Sequence, residues 1–177
     1  MIKQSIFATV ILITLVGASC QAQDEPAVDF ERHIAPLLGR LGCNAAACHG
    51  AFGGKGGLQL SLFGHSAEMD FDALLERSDA EQPDESLFLR KTSGMPHKGG
   101  EKFSKDSEIY ATIRRWIAAD TPWNPGSGTV RKLVVTPQEL TFEQLSDQPG
   151  RTQQLKVVAE FVDGTREDVT HLSQFSS

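Results

Sequence analysis

The first clear hydrophobic pattern in the chain lies between residues 30 and 41. Apolar side chains occur there at positions i, i+4, i+7, i+8 and i+11, which is the spacing of one face of an α-helix. They are Phe30, Ile34, Leu37, Leu38 and Leu41. Pro36 lies within this stripe, so we expect the helix to start near the proline or to bend there.

A second helical pattern is the clearest in the chain. Ile109, Ile113, Trp116 and Ile117 occur at i, i+4, i+7 and i+8, and Ser107 stands where an N-cap residue would. Between the two patterns, short helical segments are predicted at 71–75 and 86–90. Two glycine-rich loops are predicted at 50–57 and 93–103.

The pattern changes to a β type after Asp120. Residues 121–128 are rich in Pro, Gly and Ser, which predicts a linker. Beyond them, residues 130–135 and 155–162 alternate and are rich in β-branched side chains. Asp163-Gly164 is typical of a hairpin turn. Because a two-sheet sandwich needs roughly 100 residues, we expect this region to be incomplete and the sequence to be a fragment.

These patterns predict a mainly α N-terminal domain followed by an incomplete all-β domain. The predicted boundaries are residues 23–122 for the helical domain, 123–129 for the linker and 130–177 for the β domain. With 177 residues, 40% of them hydrophobic, the chain has enough apolar side chains for a core. Its net charge of −6 and its lack of long basic runs argue against nucleic acid as a partner.

The N-terminus resembles a secretory signal peptide. Lys3 precedes an apolar run at 6–16, and small residues follow at 17–20. We expect cleavage after Ala22 and export to the periplasm or cell surface. Alternatively, Cys20 becomes the lipidated first residue of a lipoprotein, and only then would the chain bind a membrane.

The segment Cys43-Asn-Ala-Ala-Ala-Cys48-His49 carries the candidate chemistry. Two thiols followed at once by a histidine can attach a c-type haem, because each sulfur adds to a porphyrin vinyl group and the imidazole then binds the iron. Here four residues separate the cysteines, whereas the usual number is two. Two alternatives remain: a Cys43–Cys48 disulfide, and a zinc site that also uses His49 and His97.

The loop 93–100 offers two candidates for the second axial ligand of such a haem. Met95 would supply a thioether and a higher potential, whereas His97 would complete a bis-imidazole site of lower potential. The spacing does not decide between them. The other histidines, His33, His65 and His171, have no ligand spacing and are predicted to be ordinary surface or boundary residues.

Several of these segments are similar to one known family. It is the cytochrome c-like domain found at the N-terminus of large exported planctomycete proteins, where a bacterial Ig-like domain of group 2 commonly follows. The cytochrome-like segments are residues 43–50, 57–64, Pro96-His97 with Gly99-Gly100, and 114–117. The segments similar to the start of the Ig-like domain are residues 133–141 and 154–170.

The resemblance implies a cytochrome c-like helical domain around one haem c, joined to an incomplete Ig-like sandwich. Cys43 and Cys48 would bind the haem covalently, with His49 as the proximal ligand. The Pro-His motif with its glycines favours His97 over Met95 as the distal ligand. The glycine-rich loop would wrap the porphyrin edge, and four apolar residues would line the pocket: Leu58, Leu60, Leu62 and Phe63.

The expected function is electron transfer, because an iron with two protein ligands has no open position for a substrate. We therefore expect no enzyme activity from this chain itself. Its partner would be an unidentified redox protein or further domains of a longer protein. The alternative from another class is a haem-free extracellular binding or structural module stapled by a Cys43–Cys48 disulfide.

Overall fold

Short helices, long loops and one small sheet make up the described part of the chain. The structure is a computed structural model, and it describes residues 27–50, 52–141 and 152–175. The predicted signal peptide at 1–22, with Cys20, lies outside these residues. The α-helices are α1 (Ala35–Arg40), α2 (Ala67–Leu75), α3 (Leu87–Thr92) and α4 (Glu108–Ala118), and the strands are β1 (Val130–Thr136), β2 (Lys156–Phe161) and β3 (Arg166–Asp168).

The first helical stripe forms two pieces that meet near the proline. Asp29 caps a π-helical turn, Phe30–Ile34, by accepting hydrogen bonds from the amides of Glu31 (2.9 Å) and Arg32 (3.2 Å). α1 follows directly with Pro36 in its first turn, where the missing amide proton costs no helical hydrogen bond. The helix therefore starts near the proline, as predicted.

α4 confirms the second helical pattern and its cap. Ser107 Oγ accepts a hydrogen bond from the amide of Tyr110 at 3.2 Å. The apolar face of the helix is buried through Ile113, Trp116 and Ile117. The shorter predicted helices are also present, as α2 and α3.

The sheet is antiparallel with strand order β1-β2-β3. Val134 pairs with Val158 between β1 and β2, and Ala159 pairs with Glu167 between β2 and β3. Gly164 has a φ of +85° in the turn that joins β2 to β3, a conformation that glycine adopts without strain. The predicted strands and hairpin are thus confirmed.

The prediction of a mainly α cytochrome c-like domain joined to an incomplete all-β Ig-like sandwich is wrong. The described residues form a mixed fold of four helices and one three-stranded sheet. Two of the helices have only six residues, and the described residues between Arg40 and Ala67 contain no α-helix. Instead of facing a second sheet, the buried side of β2 joins the same core as the helical residues.

A cluster of polar side chains fixes the sheet against the π-helical turn. We call Arg32, His33, Asp163 and Glu167 the Arg32 cluster. Arg32 binds both carboxylates, and its guanidinium carbon lies 4.3 Å from the centre of the Phe161 ring. His33 is buried, and its Nε2 lies 2.8 Å from Glu167. The interpretation of His33 as a surface or boundary residue is therefore wrong.

No helix among residues 27–50, 52–141 and 152–175 is long and apolar enough to cross a membrane.

Candidate haem-attachment site

The two cysteines and the adjacent histidine lie on a tight loop directly after α1. Cys43 N donates a hydrogen bond to the carbonyl of Leu38 at 2.8 Å, which joins the loop to the helix. His49 N donates to the carbonyl of Cys43 at 3.0 Å, so both ends of the motif are held together. Gly50 approaches the backbone of Asn44 so closely that a Cβ there would overlap it. The four-residue spacing therefore forms a closed loop.

The two thiols are free and have different surroundings. Cys43 is buried, and burial raises the pKa of its thiol to about 11, partly offset by the positive charge of Lys102. Cys48 is half-buried. The sulfurs are not joined to each other, so the predicted alternative of a Cys43–Cys48 disulfide is not formed in this structure.

The His49 ring is oriented by backbone carbonyls of the glycine-rich loop. Its Nδ1 lies 3.0 Å from the carbonyl oxygen of Lys55 and 3.1 Å from that of Leu58. Because a carbonyl oxygen only accepts, these contacts place the ring proton on Nδ1. Nε2 makes no hydrogen bond with the described residues, so its lone pair is available. Metal-binding histidines commonly have this arrangement, with the second nitrogen bonded to a carbonyl.

The His97 ring has a similar, weaker arrangement. Its Nδ1 lies 3.4 Å from the carbonyl oxygen of Gly100, and its Nε2 makes no hydrogen bond within the described part of the chain. The ring lies against Gly99, where an added Cβ would come within 2.8 Å of the ring carbon Cε1. Gly99 thus leaves the space that the imidazole occupies.

The fold brings His97 next to His49, although 47 residues lie between them in the sequence. Their ring centroids are 5.9 Å apart, and the ring planes differ by 8°. The rings form a nearly parallel, stacked pair at this separation. The distance is close to the separation of about 6 Å expected for two imidazoles bound to one metal through bonds of about 2.0 Å each.

Met95, the other distal candidate, lies two residues before His97 and is partly exposed. Its amide donates to the carbonyl of Arg90 at 2.9 Å, which ties the backbone to the end of α3. The structure pairs the ring of His97 with that of His49. The geometry thus favours His97 for a site that includes His49.

The predicted pocket residues have mixed environments. Leu60 is buried in the core and Leu58 is half-buried, whereas Leu62 and Phe63 are exposed. Phe63 N donates to the carbonyl of Asn44 at 3.0 Å, so this exposed ring lies beside the cysteine loop. Large exposed apolar side chains next to a site are typical of a surface that a ligand or partner covers.

The sequence analysis missed a buried carboxylate that holds the turn next to the cysteine loop. Asp70 is almost fully buried, and it accepts hydrogen bonds from Ser61 N (2.5 Å) and Ser61 Oγ (3.0 Å). Burial raises the pKa of Asp70, and the bonds from Ser61 oppose that effect. The pair fixes the turn that carries Leu62 and Phe63. An acidic residue on the polar side of a short helix gives no sequence pattern that would reveal this role.

Two further observations concern ligand sites elsewhere. A cavity of about 400 Å³ lies beside Arg32, Trp123 and Asp163, away from the cysteines and from His49. Among residues 27–50, 52–141 and 152–175, no three His, Cys, Asp or Glu side chains lie together so that they could hold a metal ion.

A comparison of the chain with protein-family models, with curated proteins and with solved structures gave no match.

Proposed function

We propose that this protein is an exported electron-transfer module that binds one haem c. Cys43 and Cys48 form the thioether bonds, His49 is the proximal iron ligand and His97 is the distal ligand. A covalent haem with two imidazole ligands supplies one reversible electron at a low potential. The chain contributes the attachment thiols, the orientation of both rings and part of the apolar cover.

The pairing of His49 with His97 is the observation that carries this proposal. Both rings have Nδ1 next to backbone carbonyls, both leave Nε2 without a protein partner among the described residues, and their planes are nearly parallel. Two imidazoles that share this arrangement at 5.9 Å fit a bis-histidine haem.

The cysteines and the family resemblance give further support. Both thiols are free, and Cys48 directly precedes His49, which is the order needed for attachment beside the proximal ligand. Residues 43–50 and 96–100 resemble the corresponding segments of the cytochrome c-like family. The proposal concerns this site, and it does not require the mainly helical fold that the resemblance implied.

Export is part of the proposal because attachment of haem to cysteines and the signal-like N-terminus both point to an extracytoplasmic compartment. Residues 1–22 have the order of a signal peptide, and Cys20 could add a lipid anchor. Thiols in such a compartment are oxidised unless they are used. Thioether bonds to haem would protect the thiols of Cys43 and Cys48 from this oxidation.

The first test is whether haem stays on the full chain after denaturation. We expect a red protein when it is produced with cytochrome c maturation machinery, and haem that resists extraction by acidic acetone. Replacing both cysteines, Cys43→Ser with Cys48→Ser, should abolish covalent retention. A colourless wild-type protein without free thiols would instead establish the disulfide module and overturn the proposal.

A second test identifies the distal ligand by matched substitutions. His97→Ala should convert the absorption spectrum from low-spin to high-spin, since one axial position loses its protein ligand. Met95→Ala and the exposed control His65→Ala should leave the spectrum low-spin. If only Met95→Ala changed the spin state, the assignment of His97 would be wrong.

A further inference from the structure

The charges of the chain are unevenly distributed. Residues 32–67 and 86–100, which include the cysteine motif and the distal loop, contain six Lys or Arg and no Asp or Glu. The whole chain has 17 basic and 23 acidic side chains, so the remainder contains 11 basic and 23 acidic ones. An acidic protein thus has its candidate site on two segments that are purely basic.

Three lysines of these segments lie close to the site residues. Lys91 Nζ donates to the carbonyl of Pro96 at 3.0 Å, directly before His97, and Lys98 follows His97 in the chain. Lys55 Nζ donates to the carbonyl of Ala47, directly before Cys48. Lys102 lies near enough to Cys43 for its charge to affect that thiol.

These ammonium groups are not neutralised by the fold. Within the described residues, no ion pair joins Lys55, Lys91 or Lys98 to a carboxylate. The three arginines of the same segments have other partners. Arg32 binds Asp163 and Glu167, Arg90 binds Glu85, and Arg40 donates to the carbonyl of His171. The nearest carboxylate along the distal loop is Glu101, which is exposed. We call Lys55, Lys91, Lys98 and Lys102 the lysine rim.

Exposed apolar side chains lie on the loops that carry the rim lysines and on the turn that follows the first of these loops. Phe52, Phe63 and Met95 are all exposed, and Phe63 is hydrogen-bonded through its amide to the cysteine loop. An apolar centre with a charged rim is the usual composition of a transient protein interface. The sign of the rim then selects the partner, because complementary charge steers encounter and wrong-sign surfaces are repelled.

We propose that the lysine rim is the docking surface for a redox partner protein whose own contact face is acidic. This inference rests on the proposed haem site, since the four lysines lie next to residues of that site. Electrons would leave or enter through the face between Lys55 and Lys98. The rest of the molecule, which is strongly acidic, would disfavour docking of the same partner elsewhere.

The sign of the salt dependence of electron transfer tests this proposal. The probe is hexacyanoferrate(III), a small anionic oxidant, mixed with the reduced haem-loaded full chain. If the positive charge of the lysine rim governs the encounter with this anion, salt screens the attraction. The second-order rate constant then falls about threefold or more as ionic strength rises from about 0.01 M to 0.5 M. If the net charge of −6 governs, the rate constant rises instead, and the proposal is overturned.

Two charge reversals of equal size, one in the lysine rim and one outside it, show whether the effect comes from the rim. Lys98→Glu should lower the rate constant at low salt about threefold or more, whereas Lys132→Glu, on the exposed strand β1, should change it by less than about 1.5-fold. The haem carboxylates contribute equally to both variants. Equal effects of the two variants would overturn the lysine rim. A chain that takes up no haem would overturn the proposed function itself, and the inference with it.

Discussion

His33 and the pair His49–His97 use their ring nitrogens differently. In His33, Nδ1 accepts from the amide of Asp29 at 2.9 Å, and Nε2 donates to Glu167 at 2.8 Å. In His49 and His97, Nδ1 lies by carbonyls, whereas Nε2 makes no hydrogen bond with any described residue. The first arrangement stabilises a fold, and the second leaves a ligand atom available. The sequence positions of these histidines do not show this difference.

Removing the imidazoles should give the largest contrast between the two regions. His33→Ala removes a buried ring and leaves the half-buried Glu167 with one partner fewer, so we expect the free energy of unfolding to fall by about 2–3 kcal/mol. His97→Ala removes one weak bond at the surface, and in haem-free chain the expected loss is below about 0.5 kcal/mol.

Urea unfolding of both variants, followed by circular dichroism, measures this contrast. The chain is produced without haem maturation, so that ligand binding does not add stability. Equal losses would contradict the distinction, because they would mean that His97 also supports the fold.

A smaller effect is expected from a change that keeps the charge of Arg32. Arg32→Lys retains a cation but loses the fork that reaches Asp163, Glu167 and the carbonyl of Ser127 together. We expect a loss of about 1–2 kcal/mol in the same urea experiment. The matched control is Arg114→Lys, whose exposed pair with Asp84 should contribute less than about 0.5 kcal/mol.

The local elements could be predicted from the sequence because their causes are local. Ser107 and the apolar spacing after it specify α4, and Asp163-Gly164 specifies the hairpin between β2 and β3. The mixed fold could not be predicted in this way. It depends on contacts such as Arg32 with Asp163, between residues far apart in the chain, and no periodicity reports such pairs.

For the candidate site too, only the features that depend on neighbouring residues could be predicted from the sequence. Cys48 next to His49 is a local pattern, so a haem-attachment site could be predicted. The spacing left Met95 and His97 equal, since only the fold determines which side chain lies next to His49. The carbonyls of Lys55 and Leu58 that orient His49 are backbone atoms of a glycine-rich loop, and side-chain identity says nothing about where they point.

The space beside His97 provides a prediction with little effect on stability. In Gly99→Ala the new Cβ would lie 2.8 Å from Cε1 of His97, so the flexible side chain must move. We expect the haem-loaded variant to lose part of its low-spin absorption, while its unfolding free energy changes by less than about 0.5 kcal/mol.

The matched control for this change is Gly39→Ala. A Cβ at residue 39, within α1, meets no atom within 4 Å, so the spectrum should stay unchanged. A low-spin spectrum in Gly99→Ala equal to that of Gly39→Ala would show that the position of the His97 ring does not matter to the iron.

Two carboxylates, one in each region, should give the smallest effects and opposite pH dependences. The pKa of Asp163 is lowered to about 2, first by the Thr165 hydroxyl and then by the Thr165 amide and Arg32. Its contribution to stability is therefore present above the ordinary aspartate pKa near 4, and it is lost as the pH falls through about 2. Burial raises the pKa of Asp70, so its contribution is present at low pH and is lost as the pH rises through that raised value.

Comparison with asparagine variants isolates each group. From about pH 5 to pH 2, the stability advantage of the wild type over Asp163→Asn should shrink, while its stability relative to Asp70→Asn should increase. Urea unfolding at four pH values across this range measures both differences. Asparagine has nearly the same shape as aspartate, so differences in packing cancel in the comparison. The change of the stability difference with pH then reports only the protonation of the carboxylate. Slopes of the same sign would mean that burial does not dominate at Asp70, and the turn under Phe63 would then be held by the two Ser61 hydrogen bonds to an ordinary, ionised carboxylate.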